Sequence, residues 1–179
     1  NRDVPPFNNP DIRRALALAL DRNAFMEALT DASGAIGGHL QPPPDGQWGM
    51  SAESLANAPG FGTDIAQNRE AARALMRKAG YGPDRMLPVK IFTRAISLYR
   101  SPAAVLANQL QEIHIDASLD VVETSHWFTR LERRDYTLAL ETTGNAVDDP
   151  DQVFYENFSC RSERNYNHYC NPEIERLFE

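Results

Sequence analysis

The sequence has no long apolar run and no excess of basic residues. No apolar stretch approaches the roughly 18 residues of a membrane-spanning helix, and the chain does not open with a signal-peptide pattern. Lys and Arg number 18 against 25 Asp and Glu, so the net charge is −7. We therefore expect no membrane span in these residues and no nucleic-acid partner held by a basic face.

Motifs typical of enzymes and phosphate-binding proteins are also missing. The sequence contains no G-x-S-x-G, no G-x-x-x-x-G-K-[ST] and no G-x-G-x-x-G. The four histidines are scattered, and Cys160, His168 and Cys170 match no zinc-ligand spacing and lack a fourth ligand. None of these patterns therefore points to an enzyme, a zinc site or a cofactor.

What remains is the composition of a globular domain, or of part of a larger one. Hydrophobic residues make up 42% of 179 and charged residues 24%. Strands and helices alternate in the order strand–helix–strand–helix–strand, which predicts an α/β fold with a mostly parallel sheet. The expected strands are Leu87–Thr93, Ser118–Val122 and Tyr136–Thr142, and the expected helices cover 10–30, 68–79, 101–114, 125–134, 152–158 and 171–179.

Residues 34–64 interrupt this pattern. Seven glycines and four prolines fall in this segment, which predicts a long irregular connection. Trp48 and Phe61 indicate that the connection packs onto another part of the protein. For Trp48 and for Trp127, two interpretations stay open: packing in a local core, or a wall of a ligand cleft.

The segment 144–151 is the best candidate site on topology alone. It follows the third expected strand, and open parallel sheets bind ligands beyond the carboxyl ends of their strands. Its acidic residues are Asp148, Asp149 and Asp151. They fit a turn with a helix N-cap, a partner for a cationic ligand group, a calcium site or an acid/base pair.

The two cysteines lie close together. Nine residues, mostly polar or turn-forming, separate Cys160 from Cys170. The pair fits a disulfide formed in an oxidising compartment, or two unrelated thiols.

Four segments carry a resemblance to one family. They are NPDIRRALALALDRNAFMEAL (with Asp11, Arg13, Ala15, Leu16, Ala19, Asp21 and Arg22), NREAARALMRKAGY, LANQLQEIHIDASL and DDPDQVF. Together they resemble the family 5 extracellular solute-binding proteins, the oligopeptide, dipeptide and nickel-binding class. The resemblance covers nearly the whole chain.

The resemblance implies a monomeric binding protein that is not an enzyme. Such proteins close two lobes on a ligand, a short peptide or a similar small solute, in the periplasm, and deliver it to the permease of an ABC importer. It implies that 1–179 is a single lobe, three-layered and of the type II periplasmic-binding-protein kind. The first lobe, the C-terminal return segment and the signal peptide would lie outside it. Export would also favour a Cys160–Cys170 disulfide.

The resemblance further implies a ligand site after the third strand. In peptide-binding relatives an aspartate there receives the ligand's amino terminus, and Asp148 is the nearest candidate. We expect this lobe's share of the cleft to comprise the segment 144–149 and the loop 39–48, with ligand-binding residues Asp148, Asn145, Ala146, Val147, Trp127 and Trp48. The alternatives are a sensory lobe that is not coupled to transport and a hydrolase that uses Asp148, Asp149 and Asp151.

Overall fold

The structure, a computed structural model, describes residues 1–30, 34–38, 47–144 and 149–178. In these residues the chain forms eight helices and three strands. In chain order they are α1 (Pro10–Ala19), α2 (Arg22–Thr30), α3 (Ala52–Asn57), α4 (Ile65–Lys78), β1 (Leu87–Arg94), α5 (Ser97–Gln111), β2 (Ile115–Val122), α6 (Thr124–Glu132), β3 (Leu138–Ala139), α7 (Pro150–Phe158) and α8 (Pro172–Glu175). None of these helices combines the length and the apolarity that a bilayer span requires.

The three strands form a parallel sheet in the order β2-β1-β3. The register of β1 and β2 runs from Leu87 opposite Ile115 to Arg94 opposite Val122. The two strands therefore end side by side, and α5 and α6 begin at that edge. We call it the carboxyl edge. The α/β class and the parallel strands expected from the sequence are confirmed.

Helices cover both faces of the sheet. On one face, alternate residues of β1 (Leu87, Val89 and Ile91) join a core with α1, α4 and α5. On the other face, Phe92 packs with Trp127 and Leu131 of α6. The alternation of buried and exposed residues along β1 follows from the two-residue repeat of a strand.

The expected helix over 10–30 is two helices. Asn9 caps α1, since its side chain accepts a hydrogen bond from the Asp11 backbone N–H at 2.9 Å. The chain then extends at Leu20, and the Asp21 carboxylate caps the first turn of α2. The side chain of Gln109 in α5 bonds both the N–H and the C=O of Asp21, at 2.9 and 3.1 Å. This distant contact satisfies the backbone where the helix breaks.

Other boundaries differ from those expected. Helix α4 begins at Ile65 rather than near residue 68, because the Asp64 side chain caps it. Helix α5 begins at Ser97 rather than near residue 101, and it encloses Pro102. Strand β3 has two residues instead of seven, and its register with β1 spans two residue pairs. The segment 34–64, expected to be irregular, contains α3. The remaining helices differ from the expected bounds by a few residues at their ends.

Gly60 holds part of the 34–64 segment against α1. Its φ is +81°, and a Cβ at this position would collide with the Ala17 carbonyl oxygen. Next to it, the Arg22 guanidinium donates to the Gly60 carbonyl and lies 3.7 Å from the centre of the Phe61 ring. Only glycine fits this backbone conformation and this close approach without strain.

Candidate functional site

Several residues predicted for the ligand site lie outside the described residues. These are Asn145, Ala146, Val147 and Asp148, together with most of the loop 39–48. The residue that follows them, Asp149, caps α7, since its carboxylate accepts a hydrogen bond from the Asp151 backbone N–H at 2.8 Å. Of the interpretations that the sequence left open for the acidic residues, the structure shows the helix N-cap for Asp149.

Trp48 lies beside two of the predicted aspartates. It is 41% exposed and, with Asp149 and Asp151, lines a cleft of about 750 Å³. The rest of the lining is mainly aromatic or aliphatic and comes from α7 and from the end of the described chain: Pro150, Phe154, Phe158, Tyr169, Ile174, Leu177 and Phe178. The structure thus joins one of the predicted tryptophans to the predicted acidic segment.

Trp127 lies in the core, away from this cleft. It is 0% exposed and stacks on Phe92, with ring centroids 4.3 Å apart and 14° between the planes. Among the described residues, its indole Nε1–H finds no acceptor in ordinary hydrogen-bond geometry. The structure therefore favours the packing interpretation for Trp127 over a place in the wall of a cleft.

A polar cluster occupies the carboxyl edge of the sheet. Arg94, the last residue of β1, donates from Nη1 to the Tyr99 hydroxyl oxygen at 3.0 Å and from Nη2 to Thr124 Oγ1 at 3.3 Å. The Thr142 hydroxyl donates to the same Tyr99 oxygen at 3.1 Å. With Glu141, these residues form what we call the carboxyl-edge cluster. It joins the ends of β1, β2 and β3, where parallel sheets bind ligands.

Glu141 is electrostatically coupled to this cluster. The residue as a whole is exposed, but crowding of its carboxyl raises the pKa, because desolvation penalises the charged form. The Arg94 guanidinium opposes that rise, and the Trp127 indole N–H and the Thr142 backbone also favour the ionised form. Since the indole N–H makes no ordinary hydrogen bond, we take its influence on Glu141 to be weak.

A small polar pocket of about 180 Å³ adjoins the cluster. Helix α7 contributes Glu156 and Asn157 to this pocket, while Phe154 and Phe158 of the same helix line the aromatic cleft. The pocket is completed by Phe128, Leu131, Glu141, Thr142, Thr143, Arg164 and Tyr166. Helix α7 therefore borders two different environments, one charged and one aromatic.

Arg94, Tyr99 and Thr142 were not among the site residues expected from the sequence. The available signal was topological: the rule that placed a site after β3 applies equally to the end of β1. With the strand expected to stop at Thr93 and the helix to start near 101, the intervening residues were assigned only a linking role.

The cysteines serve a structural purpose. Cys160 and Cys170 form a disulfide, so their sulfurs are not available as zinc ligands. The Glu175 carboxylate holds the same loop by accepting hydrogen bonds from the Cys160 backbone N–H at 2.7 Å and from Ser159 Oγ at 2.9 Å. Both hydrogen bonds stabilise the charged carboxylate, the one from the Cys160 N–H most strongly, and they therefore lower the pKa of Glu175.

His168, in the same loop, pairs with Asp3. Within the ranges that the structure describes, no three His, Cys, Asp or Glu side chains cluster as metal ligands would.

Comparison with known families decides the class of the protein. The middle region of the bacterial extracellular solute-binding proteins, family 5, matches residues 1–165. The chain belongs to this family. The resemblance that the first helix and the Ala-Gly-Tyr segment carry is thereby confirmed.

Individual relatives agree with this assignment. The chain is 26% identical over 186 residues to a probable di/tripeptide-binding protein of Pseudomonas aeruginosa, covering 99% of this chain and 32% of the relative. It is 26% identical over 181 residues to the periplasmic oligopeptide-binding protein OppA of Escherichia coli, with 99% and 32% covered. The murein tripeptide binding protein MppA of E. coli has the same fold, with a TM-score of 0.81 at 17% identity over 99% of this chain and 34% of that one. This family 5 chain thus spans about a third of the length of these relatives.

Proposed function

We propose that the chain is one lobe of the solute-binding subunit of an ABC importer. The subunit captures a short peptide or a similar solute in the periplasm and delivers it to the membrane permease. In this proposal residues 1–179 form most of the second lobe, and the ligand lies between the carboxyl-edge cluster and a first lobe elsewhere in the protein. The subunit works as a monomer and needs no cofactor.

The family match over residues 1–165 is the observation that carries this proposal. It is supported by relatives named for di/tripeptides and oligopeptides, one of them also named as periplasmic. The Cys160–Cys170 disulfide also suits an oxidising compartment. Since the family consists of binding proteins, we infer that the ligand leaves unchanged.

A lobe of this kind works through hinge closure. One lobe supplies half of a cleft, and the second lobe completes it when the hinge closes on the ligand. Peptide ligands are held in such clefts by ion pairs at their termini, by backbone hydrogen bonds and by bridging water, while side chains occupy roomy pockets. The polar pocket and the aromatic cleft on the two sides of α7 offer both kinds of surface.

The test uses the full-length protein and a mixed pool of short peptides. Native mass spectrometry weighs the complex, and the pool is analysed before and after incubation. We expect intact peptides bound at one per protein. An untouched pool with no bound peptide would move the ligand to another class of solute, and a cleaved pool would make the protein an enzyme.

The expectation that Asp148 takes the ligand's amine has its own test. Asp148→Ala in the full-length protein should weaken an amine-bearing ligand by about 2 kcal/mol or more if the ion pair is buried. Asp149→Asn is the matched control, because an asparagine keeps the cap of α7 but removes a neighbouring charge. Equal affinities for the two variants and the unchanged protein would refute the role of Asp148.

A further inference from the structure

One face of the sheet is only half covered by the residues that the structure describes. On the α6 side, the carboxyl half of this face is buried, where Phe92 packs under α6. In the amino half, Pro88 and Lys90 of β1 lie on the same face as Phe92 and are exposed. The register places them opposite Asp116 and Ser118 of β2, which are also exposed. We call Pro88, Lys90, Asp116 and Ser118 the open face.

A parallel sheet seldom leaves such a surface to water. Sheets built only of parallel strands occur almost exclusively with both faces covered by other elements. The opposite face of β1 follows this rule, since Leu87, Val89 and Ile91 are buried in the core formed with α1, α4 and α5. A further element is therefore expected over the open face.

The charges of the open face have no ion-pair partner among the described residues. No oppositely charged side-chain atom of these residues lies within 4 Å of the Lys90 amine or the Asp116 carboxylate. By contrast, Asp120 of β2 pairs with Arg130 at 2.8 Å. A groove of about 380 Å³ extends the surface from Lys90 to Phe92 and Arg130. An element that covers the open face can therefore pair an acidic group with Lys90 and a basic group with Asp116.

The size of the open face fits one helix. Neighbouring strands lie about 4.8 Å apart, and two residues along a strand span about 7 Å. An α-helix with its side chains is about 10–12 Å across, so a single helix covers this patch. A stable contact between separate proteins takes about 800 Å² from each partner, which is far more than four side chains offer. The open face therefore suits a segment of the same polypeptide better than a second copy of the protein.

We propose that the open face is the docking surface for a helix of the C-terminal return segment of the same polypeptide. The matched relatives are about three times as long as this chain, which leaves ample length for such a segment. The first lobe is the less suitable occupant, because in the proposed function it meets the carboxyl edge, whereas Pro88 and Lys90 lie in the amino half of β1. The inference rests on the lobe assignment of that proposal and requires no particular ligand.

Thiol labelling of the ligand-free, full-length protein measures whether the open face is covered. Ser118→Cys places a thiol on the open face, and Ala104→Cys is the matched control on the exposed side of α5. Each rate of maleimide modification is divided by the rate of the same variant in urea, which removes the effect of neighbouring charges on the thiol. We expect Ser118→Cys to react at least about tenfold more slowly than Ala104→Cys after this correction. Equal corrected rates would overturn the inference.

Carbodiimide coupling of the unchanged protein identifies the occupant. The reagent joins a lysine amine to a carboxylate that lies beside it, and mass spectrometry of the digested monomer locates the link. We expect Lys90 to be linked to an Asp or Glu of the return segment. Lys90→Arg is the matched control, because an arginine keeps the charge but offers no amine for coupling. Since the coupling is done on the unchanged protein, it does not depend on the folding of a cysteine variant.

The remaining outcomes are distinct from those of the peptide-binding test. A link from Lys90 to the first lobe, to a second molecule or only to residues 1–179 would overturn the inference, and so would the absence of any link. Both measurements are made without ligand. A covered open face in a protein that binds no peptide would therefore support the inference and count against the proposed ligand. An accessible open face in a protein that binds peptides would do the reverse.

Discussion

Substitution of Trp127 tests whether this residue belongs to the core or to a ligand cleft. A fully buried Trp side chain removes about 150–250 Å² from water, worth roughly 4–6 kcal/mol at about 25 cal/mol per Å². An alanine recovers a small part of that burial and leaves a cavity against Phe92. We therefore expect Trp127→Ala to lower the free energy of unfolding by about 3–5 kcal/mol.

A second variant separates lost volume from lost hydrogen bonding. Because the indole N–H of Trp127 makes no ordinary hydrogen bond to any described residue, Trp127→Phe loses mainly volume. It keeps an aromatic ring against Phe92, so we expect a cost of about 1–2 kcal/mol. Trp48→Ala is the matched control: Trp48 is 41% exposed, and its replacement should change stability by less than about 1 kcal/mol.

The assay is urea unfolding of the ligand-free, full-length protein, with ligand affinity measured in parallel. The burial of Trp127 requires a large loss of stability in Trp127→Ala and little direct effect on affinity in Trp127→Phe. Unchanged stability of Trp127→Ala together with weakened ligand binding would refute this reasoning and return Trp127 to the wall of the cleft.

Three further predictions concern stability. Gly60→Ala should lower the free energy of unfolding by more than the roughly 1–2 kcal/mol that a left-handed conformation costs, because the new Cβ also collides with the Ala17 carbonyl. Gly82→Ala is the control and should be nearly neutral in the same urea assay, because nothing lies within 4 Å of its Cβ position. Equal effects of the two variants would contradict this account. Replacing Cys160 and Cys170 by serine should cost about 2–3 kcal/mol, and unfolding under reducing and oxidising conditions should then coincide. Burial raises the pKa of Tyr136 to about 12, so the unfolded chain ionises first and stability should fall as pH rises from about 10 to 12. Tyr136→Phe should show a shallower fall, and identical pH profiles would refute this origin.

Local signals in the sequence predicted the main elements well. The alternation of apolar residues identified β1 to within one residue, and the expected helix start at residue 10 matches α1, where Asn9 is the cap and Pro10 the first residue. Both signals act between residues that are close in the chain, so a window of a few residues contains them. The order of strands and helices predicted the parallel sheet for the same reason, since short links leave few topologies open.

Features that depend on residues far apart in the chain could not be predicted from such local patterns. The helix break at Asp21 is supported by Gln109, which lies 88 residues further along the chain. The bond between Thr142 and Tyr99 spans 43 residues. Strand β3 pairs with β1 over two residue pairs, a limit that its own apolar pattern does not show. Each of these features depends on the arrangement of elements around the sheet.

The sequence by itself determined the family, the α/β class and the order of elements, because periodicity, caps and motifs each involve residues that are close together in the chain. Only the tertiary structure decided how far each tryptophan is buried. The position of α6 on the sheet buries Trp127 against Phe92, while Trp48 lies half-exposed beside α7. It also decided where polar groups converge. The parallel register brings the ends of β1 and β2 together, and Arg94 thereby donates hydrogen bonds to hydroxyls of α5 and α6.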